Sequence, residues 1–204
     1  MTISDIYRKY TIPPNLARHQ CEVAAVGRYI CDHWVDEAID KELITLALLL
    51  HDMGNIIKFQ RPFLGELEKD GVYWEKIQDE FIKKYGSDVH KATCAIVSEL
   101  HQKRALSILQ NLQEGSFFGY ENLSFEVKIC EYADCCVTPN GIVGFKVRLA
   151  DLMNRYNRTA DEHWTKTMTS NARDIEKRVN VDLSKIDEVD FSNEMKEMRG
   201  YQLA

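Results

Sequence analysis

Apolar side chains recur every three or four residues along most of this chain. Leu16, His19, Val23, Val26 and Ile30 follow one another at spacings of 3, 4, 3 and 4, which places them on one buried stripe of a helix. Most helix-length windows behave the same way, with four prolines and ten glycines in the whole sequence, so the pattern predicts an all-α protein. Pro13-Pro14 closes an extended N-terminal segment, Asn15 caps the helix that follows, and that helix runs to about Trp34. A second helix starts near Asp40, carries "ELITLALLLHD", and stops at Gly54. "NIIKFQRPFLGELEKDG" is broken by Pro62, Gly65 and Gly71 and reads as a long connection with room for a helical turn. Helices follow over "WEKIQDEFIKKYG", "SDVHKATCAIVSELHQ" (capped by Ser87 or Asp88) and "KRALSILQNLQEG" (stopped at Gly115). Others cover "NLSFEVKICEYADCCVT", ending before Pro139, then "GIVGFKVRLADLMNRYNR" and "ADEHWTKTMTSNARDIEKRV". The organisation implied is one domain over 1–204, with a core at about 10–158 and a helical extension at about 159–204. The polar stretch from about 180 packs peripherally or mediates contacts.

Three of these helices carry an ionisable residue where a core residue belongs. His19 interrupts the first stripe. His90, Cys94, Val97 and His101 share a stripe spaced 4, 3, 4, and Leu123, Val127, Cys130, Asp134 and Val137 one spaced 4, 3, 4, 3. Asp134 therefore faces inward. Burying a carboxylate alone costs several kcal/mol, and no lysine or arginine lies on its stripe. The apolar run "ALLLHDMGNIIKF" adds an ionisable pair, His51-Asp52, at its end. A metal shared by His19, His51, Asp52 and Asp134 satisfies all four at once. The plainer readings are a hydrogen-bonded core histidine and an Asp134 that caps a neighbouring helix or pairs with a distant arginine. A His-Asp dipeptide alone carries little weight. The joint order His…His-Asp…Asp carries more.

At 204 residues, 45% hydrophobic and 28% charged, the chain has the composition of an ordinary soluble protein. Its net charge of −6, with both signs mixed throughout, argues against a broad nucleic-acid-binding face. The longest apolar run, "LITLALLL", is too short to span a bilayer, and "MTISDIYRKY" has no signal-peptide core. The expectation is a cytoplasmic protein without membrane attachment; a homo-oligomer is compatible with the sequence. None of the six cysteines forms a C-x-x-C pair; they read as reduced residues packed as small hydrophobes.

The order and local contexts of "LARHQCEVAAVGRYI", "LALLLHDMGNIIKF" and "EVKICEYADCCVTPNGIVGFKVRLADLMNRY" resemble the HD-domain superfamily of metal-dependent phosphohydrolases, over roughly residues 10–158. The resemblance implies a helical bundle with the metal between its core helices, and His19, His51, Asp52 and Asp134 match the family's ligands. "GSDVHKATCAIVSEL" is similar to the place where many relatives carry a third histidine, here His90. Binuclear relatives have a fourth. His101 is the one candidate, and eleven residues along a straight helix would put it roughly 16 Å from His90. The reading therefore favours one tightly held metal, with His90 as a ligand of a second site or a phosphate contact. Asn55 stands where many relatives have lysine, and Ile56 where some nucleotidase-like relatives have glutamate. Asn55 can orient a water or a phosphate but transfers no proton, which leaves the general acid or base open.

Two imidazoles and two carboxylates suit Mn²⁺, Fe²⁺, Co²⁺, Ni²⁺ or Zn²⁺. A metal that lowers the pKa of its water to about 7 can drive attack of hydroxide on phosphorus. The implied enzyme is a phosphomonoesterase or phosphodiesterase acting on a nucleotide or related small phosphorylated molecule. Asp52, Lys58 and Arg18 are the catalytic candidates. Lys58, Arg18, Asn55, His90, Arg61 and Arg148 are the substrate-binding candidates, each cation being read equally well as a surface residue. Two other classes compete: an HD-type di-iron oxygenase, which needs the full histidine set, and a non-catalytic regulatory HD module that keeps its metal for stability.

Overall fold

Short polar residues and a proline set several of the helix starts in the computed structural model, which describes residues 1–60, 71–120 and 122–203. Helix α1 (Ile3–Lys9) opens with a capping box: Thr2 Oγ1 accepts from Asp5 N at 3.1 Å and the Asp5 carboxylate accepts from Thr2 N at 3.0 Å. The segment before Pro13 is thus helical where the sequence reads as extended. The cap and the burial of Ile3, Ile6 and Tyr7 hold the turn. Helix α2 (Pro14–Asp32) begins on Pro14, and Pro13 is its N-cap with no side-chain bond. Asn15 therefore lies inside the first turn and does not cap it, because a proline at N1 needs no donor satisfied there.

Helix α3 (Lys41–Leu50) is capped by Asp40, whose Oδ1 accepts from Leu43 N at 2.9 Å. It ends at His51, three residues before the expected glycine stop, and a turn leads into a 3₁₀ segment at Asn55–Lys58. Helices α4 (Gly71–Tyr85), α5 (Val89–Glu99) and α6 (Lys103–Phe118) follow, with Asp88 capping α5 through Lys91 N. Helix α6 runs past Gly115 and stops at Gly119, whose φ of +103° suits glycine alone. Gly115 serves packing: a Cβ there would lie 2.3 Å from the Tyr120 ring. His101 sits exposed in the turn between α5 and α6 at φ +59°, off the α5 stripe.

Helix α7 (Phe125–Asp134) ends on the aspartate itself. Next comes a hairpin that the sequence pattern did not predict: β1 (Val137–Thr138) pairs antiparallel with β2 (Gly141–Ile142) across Pro139-Asn140. Helices α8 (Phe145–Arg155) and α9 (His163–Glu176), a 3₁₀ segment at Leu183–Glu188 and α10 (Ser192–Gly200) complete the described chain.

The bundle is built on α2, α3 and α7, which pack on one another; α6 joins α3, α5 and α7, and α9 lies on α7. The α2–α3 approach is close enough that a Cβ on Gly27 would lie 2.2 Å from Leu48 Cδ1. Helix α10 packs against α1 and α2. Backbone bonds from Ile3 N to Tyr201 O (2.9 Å) and Leu203 N to Met1 O (3.0 Å) tie the two ends together. All six cysteines are free. Among the described residues no helix is long and apolar enough to cross a membrane.

Candidate metal centre

The middle of α2, the end of α3 and the end of α7 converge on one point. Leu16, Val23, Val26 and Ile30 are buried, and His19 sits in the same stripe with its side chain 14% exposed. His51 caps the C-terminus of α3 with its own ring: Nδ1 lies 2.6 Å from Leu48 O. A carbonyl only accepts, so Nδ1 carries a proton and Nε2 is the nitrogen that faces the cluster. Tyr7 Oη donates to Leu49 O at 2.7 Å, satisfying another terminal carbonyl. Asp52 N donates to Gln20 Oε1 (3.3 Å) and Gly54 N to Thr93 Oγ1 (2.9 Å). Gly54 has an ordinary φ of −91°. Its lack of a side chain matters because a Cβ would meet Val89 O at 2.5 Å and Thr93 N at 2.9 Å. The glycine lets α5 close against the turn that carries His51 and Asp52.

Asp134 Oδ1 lies 3.2 Å from His19 Nε2 and 3.5 Å from His51 Nε2. Asp52 Oδ2 lies 3.7 Å from both nitrogens. Ligand atoms of His19, His51 and Asp134 all fall within 4.8 Å of one another, and the histidine rings are 5.5 Å apart. His51 Nε2 is buried without a hydrogen-bond partner. An orphaned imidazole nitrogen aimed at a carboxylate, with a second imidazole opposite, is the donor set of a first-row divalent ion, so His19, His51 and Asp134 can hold one.

The electrostatics agree. Burial pushes the His51 pKa down, but Asp52, Asp134 and the Leu48 carbonyl push it further up, to about 9. Burial would raise the Asp134 carboxyl; the close approach of His19 and His51 and their charge hold it well below the usual range. Carboxylates that hold a proton on a ring also hold a divalent ion, so the two compete for the cluster.

A cleft of about 580 Å³ opens on the His19 and Asp52 side of the cluster, within the usual range for small-ligand sites. Asn55, Lys58 and Arg148 line it, as the sequence suggested. So do residues that sequence reasoning did not single out: Asn15, Phe59, Pro139, Arg155 and Tyr156. Of these, Arg155 alone left a signal, lying seven residues after Arg148 with Asp151 between them. Arg18 is not among the lining residues: its Nη2 donates to Pro139 O at 2.7 Å and its Nε lies 3.7 Å from Glu22. Arg61 lies outside the described residues. His90 faces a second, smaller cavity of about 140 Å³, shared with His51, Asp134, Leu109 and Glu131, and its Nε2 is 3.3 Å from Cys94 Sγ. In that cavity burial and the charge of Asp134 push the Glu131 carboxyl up to about 7, although Tyr120 and Cys135 hydrogen bonds pull it back.

Residues 16–138 match the family model described as HD domain. No curated protein and no solved structure is found to match the chain.

Proposed function

The chain belongs to the HD-domain family, whose chemistry is metal-dependent and hydrolase-type, and from this we propose that it is a phosphohydrolase acting on a small phosphorylated, nucleotide-like molecule. The observation that carries the reading is the meeting of His19, His51 and Asp134 within coordination range of one point, beside a cleft whose lining holds Lys58, Arg148 and Arg155. Among the described residues Asp52 is the only carboxylate in that lining, and its 3.7 Å distances to both histidines support it as the fourth ligand. A divalent ion, when bound, supplies Lewis acidity and lowers the pKa of a coordinated water to about 7.

The chain's own residues do the rest. Three cations in the lining of a protein of net charge −6 favour an anionic substrate. Lys58, from the 3₁₀ segment that follows the His-Asp turn, is the lining cation nearest the ligands in sequence and is read as the phosphate contact. Asn55 is buried in the cleft wall, where its amide can orient a phosphoryl oxygen or a water. Arg18 acts from the rim, holding the Pro139 carbonyl and with it the hairpin that borders the cleft. His90 lines the smaller cavity with His51 and Asp134 and not the cleft, which supports it as a ligand of a second site over a phosphate contact.

The test combines metal analysis of the purified protein with phosphate release from a panel of nucleotides and p-nitrophenyl phosphates in added Mn²⁺, Co²⁺ or Ni²⁺. The expected result is about one metal equivalent and turnover of at least one phosphoester. His51→Ala and Asp52→Ala should abolish both; full turnover in either variant would overturn the assignment. Two irons per chain would point instead to the oxygenase class.

A further inference from the structure

We propose that the substrate carries a second anionic group besides the one at the metal cluster, and that Arg148 and Arg155 receive it. The proposal rests on the phosphohydrolase reading above. Arg148, Asp151 and Arg155 are spaced 3 and 4 along α8 and so share one face of it. Arg148 Nη1 and Arg155 Nη2 reach the same atom, Asp151 Oδ2, at 2.7 and 2.8 Å. One carboxylate thus faces two permanently charged guanidiniums, and the trio keeps a net charge of plus one.

That surplus sits in an unfavourable place for a merely structural network. The Arg148 side chain is only 11% exposed, and its Nε is buried with no hydrogen-bond partner. A buried guanidinium that shares its counter-ion is under-compensated. Both arginines line the cleft, and among the described residues the only carboxylate in the lining belongs to the metal cluster. An anion arriving through the cleft would complete the pairing, in the geometry that forked guanidiniums favour.

The position argues for a separate anion. The start of α8 is anchored beside the metal ligand: Gly144 N donates to Cys136 O, two residues past Asp134. Asp151 lies six residues into the helix, roughly 9 Å along its axis. The arginine pair thus enters the cleft from α8, a helix that carries none of the cluster's ligands. Tyr156, 60% exposed, and Phe59 line the same cleft, which suits an apolar or aromatic body joining the two charged ends. The substrate class is a small molecule with two separated anionic groups.

Calorimetric binding of three probes to the metal-loaded protein tests this without relying on turnover: adenosine 5′-monophosphate, adenosine 5′-diphosphate and adenosine 3′,5′-bisphosphate. At least one of the two doubly substituted probes should bind about 10-fold more tightly than the monophosphate, the scale of one charge-assisted contact. Arg148→Gln and Arg155→Gln should each erase most of that advantage. Arg155, 44% exposed, tolerates substitution even where the more buried Arg148 does not. Equal affinity for all three probes, or an advantage that survives in Arg155→Gln, overturns the proposal. Tight, arginine-dependent binding with no turnover of these probes or of any phosphoester in the panel above would instead remove the phosphohydrolase reading and leave the anion pair standing.

Discussion

Glu131 should make the metal-free protein less stable as pH rises through the weakly acidic range. Its carboxyl is raised from 4.5 to about 7, chiefly by burial and then by the charge of Asp134. The folded state therefore binds this proton more tightly than the unfolded state does. The stabilisation is complete below about pH 4.5 and is lost as pH climbs to about 7, where the carboxylate must ionise inside the fold. A shift of that size, at about 1.4 kcal/mol per unit, amounts to roughly 3 kcal/mol, a large share of the 5–15 kcal/mol typical of a domain. His90, in the same cavity, is lowered below 6.5 by burial and so opposes the trend, adding stability as pH rises toward 6.5; the other neighbours act in other windows. His51, raised to about 9, loses its contribution between about pH 6.5 and 9, and carboxyls lowered by their partners, such as Asp134, act below their usual value of 3.8. Urea unfolding at pH 5, 6 and 7 in excess chelator measures the effect. The wild type should lose stability relative to Glu131→Gln as pH rises over this range. Parallel curves for the two proteins from pH 5 to 7 would refute the reasoning.

Two further outcomes follow from packing and capping. Gly54→Ala should cost about 1–3 kcal/mol in urea unfolding and weaken metal retention on dialysis, because the added Cβ strikes the Val89 and Thr93 backbone and must push α5 away from the His51-Asp52 turn. Thr2→Ala should cost about 1 kcal/mol by removing the capping box of α1, read as a lower thermal midpoint with metal content unchanged.

Much of the architecture was legible along the chain because its causes are local. The 3.6-residue repeat marked α2 and α7 and turned His19 and Asp134 inward before any contact between helices was known. The apolar run that ends in His51-Asp52 likewise announced a buried helix delivering two donors at its tip, and the three segments do meet. Caps at Asp40 and Asp88 were equally local. Elements decided by distant partners were hidden. Residues Ile3–Lys9 form a helix whose N-terminal end is tied to the C-terminal segment through Tyr201 and Leu203, and Gly115 lies inside α6, where its missing Cβ leaves room for the Tyr120 ring. The cleft is likewise a tertiary product. Arg18 turns to a carbonyl 121 residues away, His90 enters a separate cavity, and Arg155 and Tyr156 reach the cleft because α8 folds back beside the cluster. Periodicity states which face of a helix is buried; what that face meets depends on how the helices cross, and that is settled only by packing of the whole chain.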